Sequence, residues 1–115
     1  MEGKENEIFL DWITRKYFFK DKKYSDLNIY QKGDIGEFLR FPTTKNAYII
    51  EWFDTEGIYI TIDFTKPYWY CYIMTSGFGC YSMSENEFLT RRMATEAAIK
   101  KAVEIFNEKY KENEQ

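Results

Sequence analysis

Histidine is absent from the 115 residues, so acid–base chemistry would fall to carboxylates, lysine, tyrosine or cysteine, and the commonest metal ligand is missing. Glu51 and Asp63 fall in neighbouring β-rich runs, on one strand face across Thr61. Paired carboxylates placed that way can do acid–base work. No nucleophile or oxyanion-hole sequence accompanies them, so solvated side chains are the expectation. Cys71 and Cys80 lie in consecutive runs and could approach one another. Two thiols without histidine make a poor zinc site, and buried apolar residues are expected instead. Gly33-Asp34-Ile35-Gly36 has the spacing of a loop that clamps a nucleic-acid backbone. Its flanks read as extended and Asp34 is acidic, so a plain turn is expected. There is no phosphate-binding loop and no dinucleotide fingerprint. The chemistry-bearing residues therefore predict no enzyme, no metal and no cofactor.

The tyrosines carry more information. Aromatic residues make up 20% of the chain, with ten Tyr, ten Phe and three Trp. Tyr59, Tyr68, Tyr70 and Tyr72, with Phe53, are expected on the sheet face turned away from the apolar core. Two arrangements are open. In one, the first helix covers that face; in the other, both helices pack on the opposite face and the phenols look outward. An exposed tyrosine patch suits a protein interface, because the ring is large, stiff and able to hydrogen-bond. It could also stack on bases.

Elements that would position these residues follow from periodicity. Residues 6–20 predict a helix with Ile8, Trp12 and Phe19 near one stripe and Phe9 and Ile13 beside it. Leu27–Gln31 reads as a short strand or extended loop, 32–36 as a turn, and Glu37–Phe41 as a second short strand closed by Pro42. Ala47–Phe53, Ile58–Phe64, Tyr68–Thr75 and Phe78–Met83 read as strands. Asp54-Thr55-Glu56-Gly57 reads as a three-residue hairpin with a bulge. That turn would oppose Trp52 to Ile60, Ile50 to Ile62 and Glu51 to Thr61. The connection at Pro67 would oppose Phe64 to Trp69, Ile62 to Cys71 and Ile60 to Ile73, with Ser76-Gly77 making the next turn. Ser84-Glu85-Asn86-Glu87 has the pattern of a capping box.

A closing helix is expected over Arg91–Lys111. Ala94, Ala98, Ala102 and Ile105 form one row, Ile99, Val103, Phe106 and Tyr110 the next, and Glu96 and Lys100 a helix-spaced pair. The expected fold is a single α+β domain over 1–115: an antiparallel meander of four to five strands between an N-terminal and a C-terminal helix, α-β-β-β-β-α. An edge strand near Phe78–Met83 or Leu27–Gln31 could pair with a second copy.

Sixteen Lys and Arg against nineteen Asp and Glu give a net charge of −3. That balance counts against a phosphate backbone as the main partner. The basic residues are uneven, with Arg15, Lys16, Lys20, Lys22 and Lys23 crowding the end of the first helix, while the C-terminus is acidic. No apolar run approaches the roughly 20 residues that cross a bilayer. The polar opening, Met1 to Glu7, does not read as a secretory signal, so a cytoplasmic setting is expected.

The stretch from Thr90 to Phe106, with Arg91-Arg92 at the helix start and Ala94, Ala97, Ala98 and Ala102 behind, resembles the closing helix of double-stranded-RNA-binding domains. The α-β-β-β-α order is similar too. The resemblance implies that Arg91 and Arg92 touch phosphates. Thr95 stands where that family has a third basic residue, and the family's Gly-Pro-x-His hairpin is missing. In style, a short, acidic, Lys/Glu/Tyr/Ile-rich chain resembles accessory proteins of phages and mobile elements, such as anti-CRISPR and toxin-immunity proteins.

The functional expectation is a non-enzymatic inhibitor that masks a larger protein or ribonucleoprotein. Tyr59, Tyr68, Tyr70 and Tyr72 would anchor it, and Glu51, Asp63, Asp54 and Glu56 would face a basic groove. The alternative is a nucleic-acid module using Arg91, Arg92, Arg15, Lys16 and Lys20.

Overall fold

Asn28 and Pro42 decide the first half of the chain. The Asn28 side chain accepts the Gln31 N–H at 2.9 Å while the Gln31 side chain accepts the Asn28 N–H at 3.0 Å. This reciprocal cap starts a helix where a short strand or extended loop was expected. Pro42 occupies the first position of the next helix, where its fixed φ is preorganised and its missing N–H costs nothing. The computed structural model describes residues 1–76, 79–82 and 87–114. Contacts divide the chain into two compact units, Met1–Trp52 and Phe53–Gln115.

In the first unit α1 spans Lys4–Ile13 and buries Phe9 and Ile13, one helical turn apart. It runs into a π-helical turn over Thr14–Phe18, closed by the Phe19 N–H on the Thr14 carbonyl at 2.7 Å. The Thr14 hydroxyl donates to the Leu10 carbonyl at 2.7 Å. A single 3-10 turn, Tyr24–Asp26, is tied back to α1 by the Tyr24 N–H on Asp11 Oδ1 at 2.8 Å. Helix α2 spans Ile29–Phe38 and α3 spans Pro42–Thr55. Ile35 and Leu39 are buried one turn apart, as are Ile49, Trp52 and Phe53 at helical spacing.

In the second unit β1 (Ile58–Thr65), β2 (Tyr68–Thr75) and β3 (Gly79–Ser82) form an antiparallel sheet in the order β1-β2-β3. Helix α4 spans Arg91–Glu114 and packs on β1 and β2. Thr90 caps it, its hydroxyl accepting the Met93 N–H at 3.1 Å. Ala94, Ala98 and Ala102 are fully buried, so the helix axis lies close to the sheet, and Phe106 meets Phe53 at 6.4 Å between ring centroids. Ile58 and Ile73 are buried on the facing side of the sheet, each contributing about 1.5–3 kcal/mol by leaving water. The Trp69 and Phe88 backbones exchange hydrogen bonds of 2.8 and 3.1 Å beyond β3.

The meander of four to five strands is thus corrected. Among the described residues there are four α-helices and three strands, and only β1 and β2 are long. Leu27–Gln31 and Glu37–Phe41 are not strands but overlap the two ends of α2, and Ala47–Phe53 lies within α3. Gly33 to Gly36 sits inside α2 rather than in a turn. The cause at 54–57 is a glycine with two uses. Gly57 has φ +75°, but it ends α3, where the Glu56 N–H bonds the Phe53 carbonyl at 2.9 Å, instead of making a hairpin bulge. The first α-helix is also shorter than 6–20, because the chain widens into the π turn at Thr14. The capping-box stretch Ser84–Glu87 falls mostly outside the described residues. No described helix is long and apolar enough to cross a membrane.

Candidate binding surface

Pleat arithmetic builds the surface. Phe64 opposes Trp69, Ile62 opposes Cys71 and Ile60 opposes Ile73, the register expected from the Pro67 connection. Residues of the other parity pair as Tyr59 with Met74, Thr61 with Tyr72, Asp63 with Tyr70 and Thr65 with Tyr68. Successive side chains alternate between faces. The buried residues Ile58, Cys71, Ile73 and Thr75 hold the inner face, so Tyr59, Thr61, Asp63, Tyr68, Tyr70, Tyr72 and Met74 share the outer one. Tyr59 and Met74 are 43% and 58% exposed, and Tyr68, Tyr70 and Tyr72 are half-buried. Asp63 is exposed and its Oδ1 accepts the Phe64 N–H at 3.0 Å. The face therefore offers phenol donors, flat rings, one carboxylate and a flexible thioether.

Two residues expected on this face lie elsewhere. Phe53 is fully buried at the end of α3. Glu51 sits on α3, not on a strand, and Thr61 pairs with Tyr72 instead of with it. The Glu51 carboxylate accepts Lys16 Nζ at 2.8 Å and the Tyr17 hydroxyl at 2.6 and 2.8 Å. The Lys16 and Tyr17 bonds hold its carboxyl below the usual carboxylate range. The same bond to Glu51, aided by desolvation, pushes Tyr17 up to about 12. Around them Trp12, Tyr17, Tyr48 and Phe38 form a chain of ring contacts, with Tyr17–Tyr48 at 5.1 Å and Phe38–Tyr48 at 4.9 Å. Sequence reading missed this cluster. Tyr17 and Glu51 are 34 positions apart, and no local pattern announces their bond. Asp54 is exposed near the C-terminal end of α3, and the Glu56 carbonyl accepts Lys109 Nζ at 3.4 Å.

The cations of the alternative reading are partly committed to neighbours. The Arg91 guanidinium lies 4.7 Å from the Trp69 ring centroid, and Arg92 Nε donates to Glu96 at 2.9 Å, in place of the expected Glu96–Lys100 pair. Lys16 is engaged by Glu51, while Arg15 and Lys20 are exposed. Cys71 is buried and desolvation pushes its thiol up, away from the thiolate a nucleophile requires. Cys80 stands opposite Met74, three residues along β2 from Cys71. No group of three or more potential metal-binding residues occurs among the described residues. Comparison with protein-family models, curated proteins and solved structures finds no match.

Proposed function

We propose that the chain is a non-enzymatic binding protein that inhibits a larger protein or ribonucleoprotein by covering part of its surface. It would work in the cytoplasm, in the manner of the anti-CRISPR and toxin-immunity proteins of phages and mobile elements. The observation that supports this reading is the register of β1 and β2, which gathers Tyr59, Asp63, Tyr70, Tyr72 and Met74 on the face opposite the buried isoleucines. Tyrosine-rich patches bury large area at low entropic cost and leave a hydroxyl to satisfy the partner. Two strands of eight residues at ~3.3 Å per residue make a face of only a few hundred Å², less than the ~800 Å² per partner of a stable complex. The face is therefore an anchor, with neighbouring surface completing the contact. Asp63 supplies its negative charge; Glu51, bound to Lys16 and Tyr17, does not belong to it.

The test is affinity capture from the native host with the wild-type chain and with Tyr70→Ala/Tyr72→Ala. Loss of the captured partner by a double variant with an unchanged circular dichroism spectrum is expected, since anchor residues are worth about 2 kcal/mol or more each. Retention of the partner by the folded variant overturns the reading.

A second reading, duplex RNA binding, has in its favour the order α3-β1-β2-β3-α4, which is the order implied by the likeness of the Thr90–Phe106 stretch. The net charge of −3 and the engagement of Arg91 and Arg92 weigh against it.

A further inference from the structure

The Lys16 ammonium sits in a corner built of two rings and a carboxylate. Its Nζ lies 5.3 Å from the Trp12 ring centroid, 5.7 Å from that of Tyr17 and 2.8 Å from Glu51 Oε1. Trp12 and Lys16 are one helical turn apart. Tyr17 is five positions from Trp12, which on an α-helix sets the two ~140° apart around the axis. The π turn over Thr14–Phe18, whose hydrogen bonds run five residues back, returns Tyr17 toward the face of Trp12. The rings then meet edge to face, with centroids 6.0 Å apart and planes at 80°. Tyr48 and Phe38 pack against Tyr17, at 5.1 and 6.4 Å between centroids, and hold its ring in place. The Tyr17 hydroxyl donates to the Glu51 carboxylate, so the third wall is held as well.

The corner is open to solvent, with Lys16 and Tyr17 exposed and Trp12 and Glu51 half-buried. Exposed ion pairs and exposed cation–π contacts are weak. A lysine ammonium is compact, strongly hydrated and carried on a flexible stem, so it returns to water readily. A quaternary ammonium has no N–H to satisfy and asks only for ring faces and a negative charge, which these walls offer. We propose that Trp12, Tyr17 and Glu51 form a binding site for a quaternary ammonium group, with Lys16 as its resident competitor. Choline-type molecules and trimethylated lysine side chains present the same N-methyl surface to such rings. The site does not rest on the masking reading.

Magnetic resonance titration of the full chain with tetramethylammonium chloride, followed at the Trp12 indole N–H, tests the proposal. A saturable shift is expected, and none of its size with sodium or ammonium chloride at equal ionic strength. Lys16→Ala removes the competitor and is expected to tighten binding about tenfold. Lys16→Gln is expected to act in the same direction and replaces the alanine variant should that one lose its circular dichroism spectrum. Glu51→Gln added to Lys16→Ala removes the charged wall and is expected to weaken binding about fivefold or more. Choline and a trimethyllysine peptide are then compared, and the tighter of the two identifies the source of the group. The absence of a saturable shift in both the wild-type chain and the Lys16 variant overturns the proposal. So does a shift of equal size with ammonium, or equal affinity with and without the Lys16 ammonium.

Discussion

Glu51 shows how one side chain can be read correctly as charged and misplaced as to role. Its carboxylate joins the π turn to α3 through Lys16 and Tyr17, and both bonds have a pH signature. Because the folded chain lowers the Glu51 pKa, the unfolded chain binds the proton more readily. Its contribution is present above the ordinary carboxylate pKa of about 4.3 and is lost as pH falls through the folded value. Tyr17 has the opposite sign. Folding raises it to about 12, so its contribution is complete below pH 10.0 and is lost as pH rises through about 12. Thermal midpoints followed against pH are expected to show Glu51→Gln flattening the acid arm and Tyr17→Phe flattening the alkaline arm. Both effects are modest, because Lys16 and Glu51 side chains are 46% and 37% exposed. Unchanged arms in both variants would remove the tie from the stability of the fold.

Helix α2 gives the element-scale prediction. Gly33 and Gly36 lie in its interior, neither has positive φ, and an added Cβ meets nothing within 4 Å at either site. Gly33→Ala and Gly36→Ala are each expected to raise unfolding free energy by about 0.5–1 kcal/mol in urea titrations, by removing backbone freedom from the unfolded chain. A loss of stability would show that the helix needs those glycines. The same helix shows why part of the fold was illegible. Two glycines flanking Asp34-Ile35 read as a turn, and the Asn28–Gln31 cap that overrides them is a short-range signal easily passed over. At 47–53 the run Tyr-Ile-Ile-Glu-Trp-Phe has strand propensity, and a paired hairpin could be written for it. Ile49, Trp52 and Phe53 also have helical spacing, and burial followed that period. By contrast β1, β2 and α4 were legible, because alternating isoleucines and a four-residue alanine repeat each admit one period only. The four tyrosines and Asp63 inherit their place from that part of the reading; Glu51 and Phe53 do not.

At the scale of the molecule, charge and engagement of cations set the prediction against nucleic acid. With a net charge of −3, and with Arg91 over Trp69 and Arg92 on Glu96, the chain is expected to leave duplex RNA free in mobility-shift assays even at low salt. A retained duplex whose affinity falls steeply with added salt would favour the alternative over masking of a protein. The tryptophans have a practical consequence. Trp12 and Trp52 fall in the unit Met1–Trp52, and Trp69 alone falls in Phe53–Gln115, beneath the Arg91 guanidinium. Intrinsic fluorescence is therefore already divided by position. Emission from a Trp12→Phe/Trp52→Phe variant reports the sheet half, and emission from Trp69→Phe reports the helical half, so the two can be watched separately without an added dye.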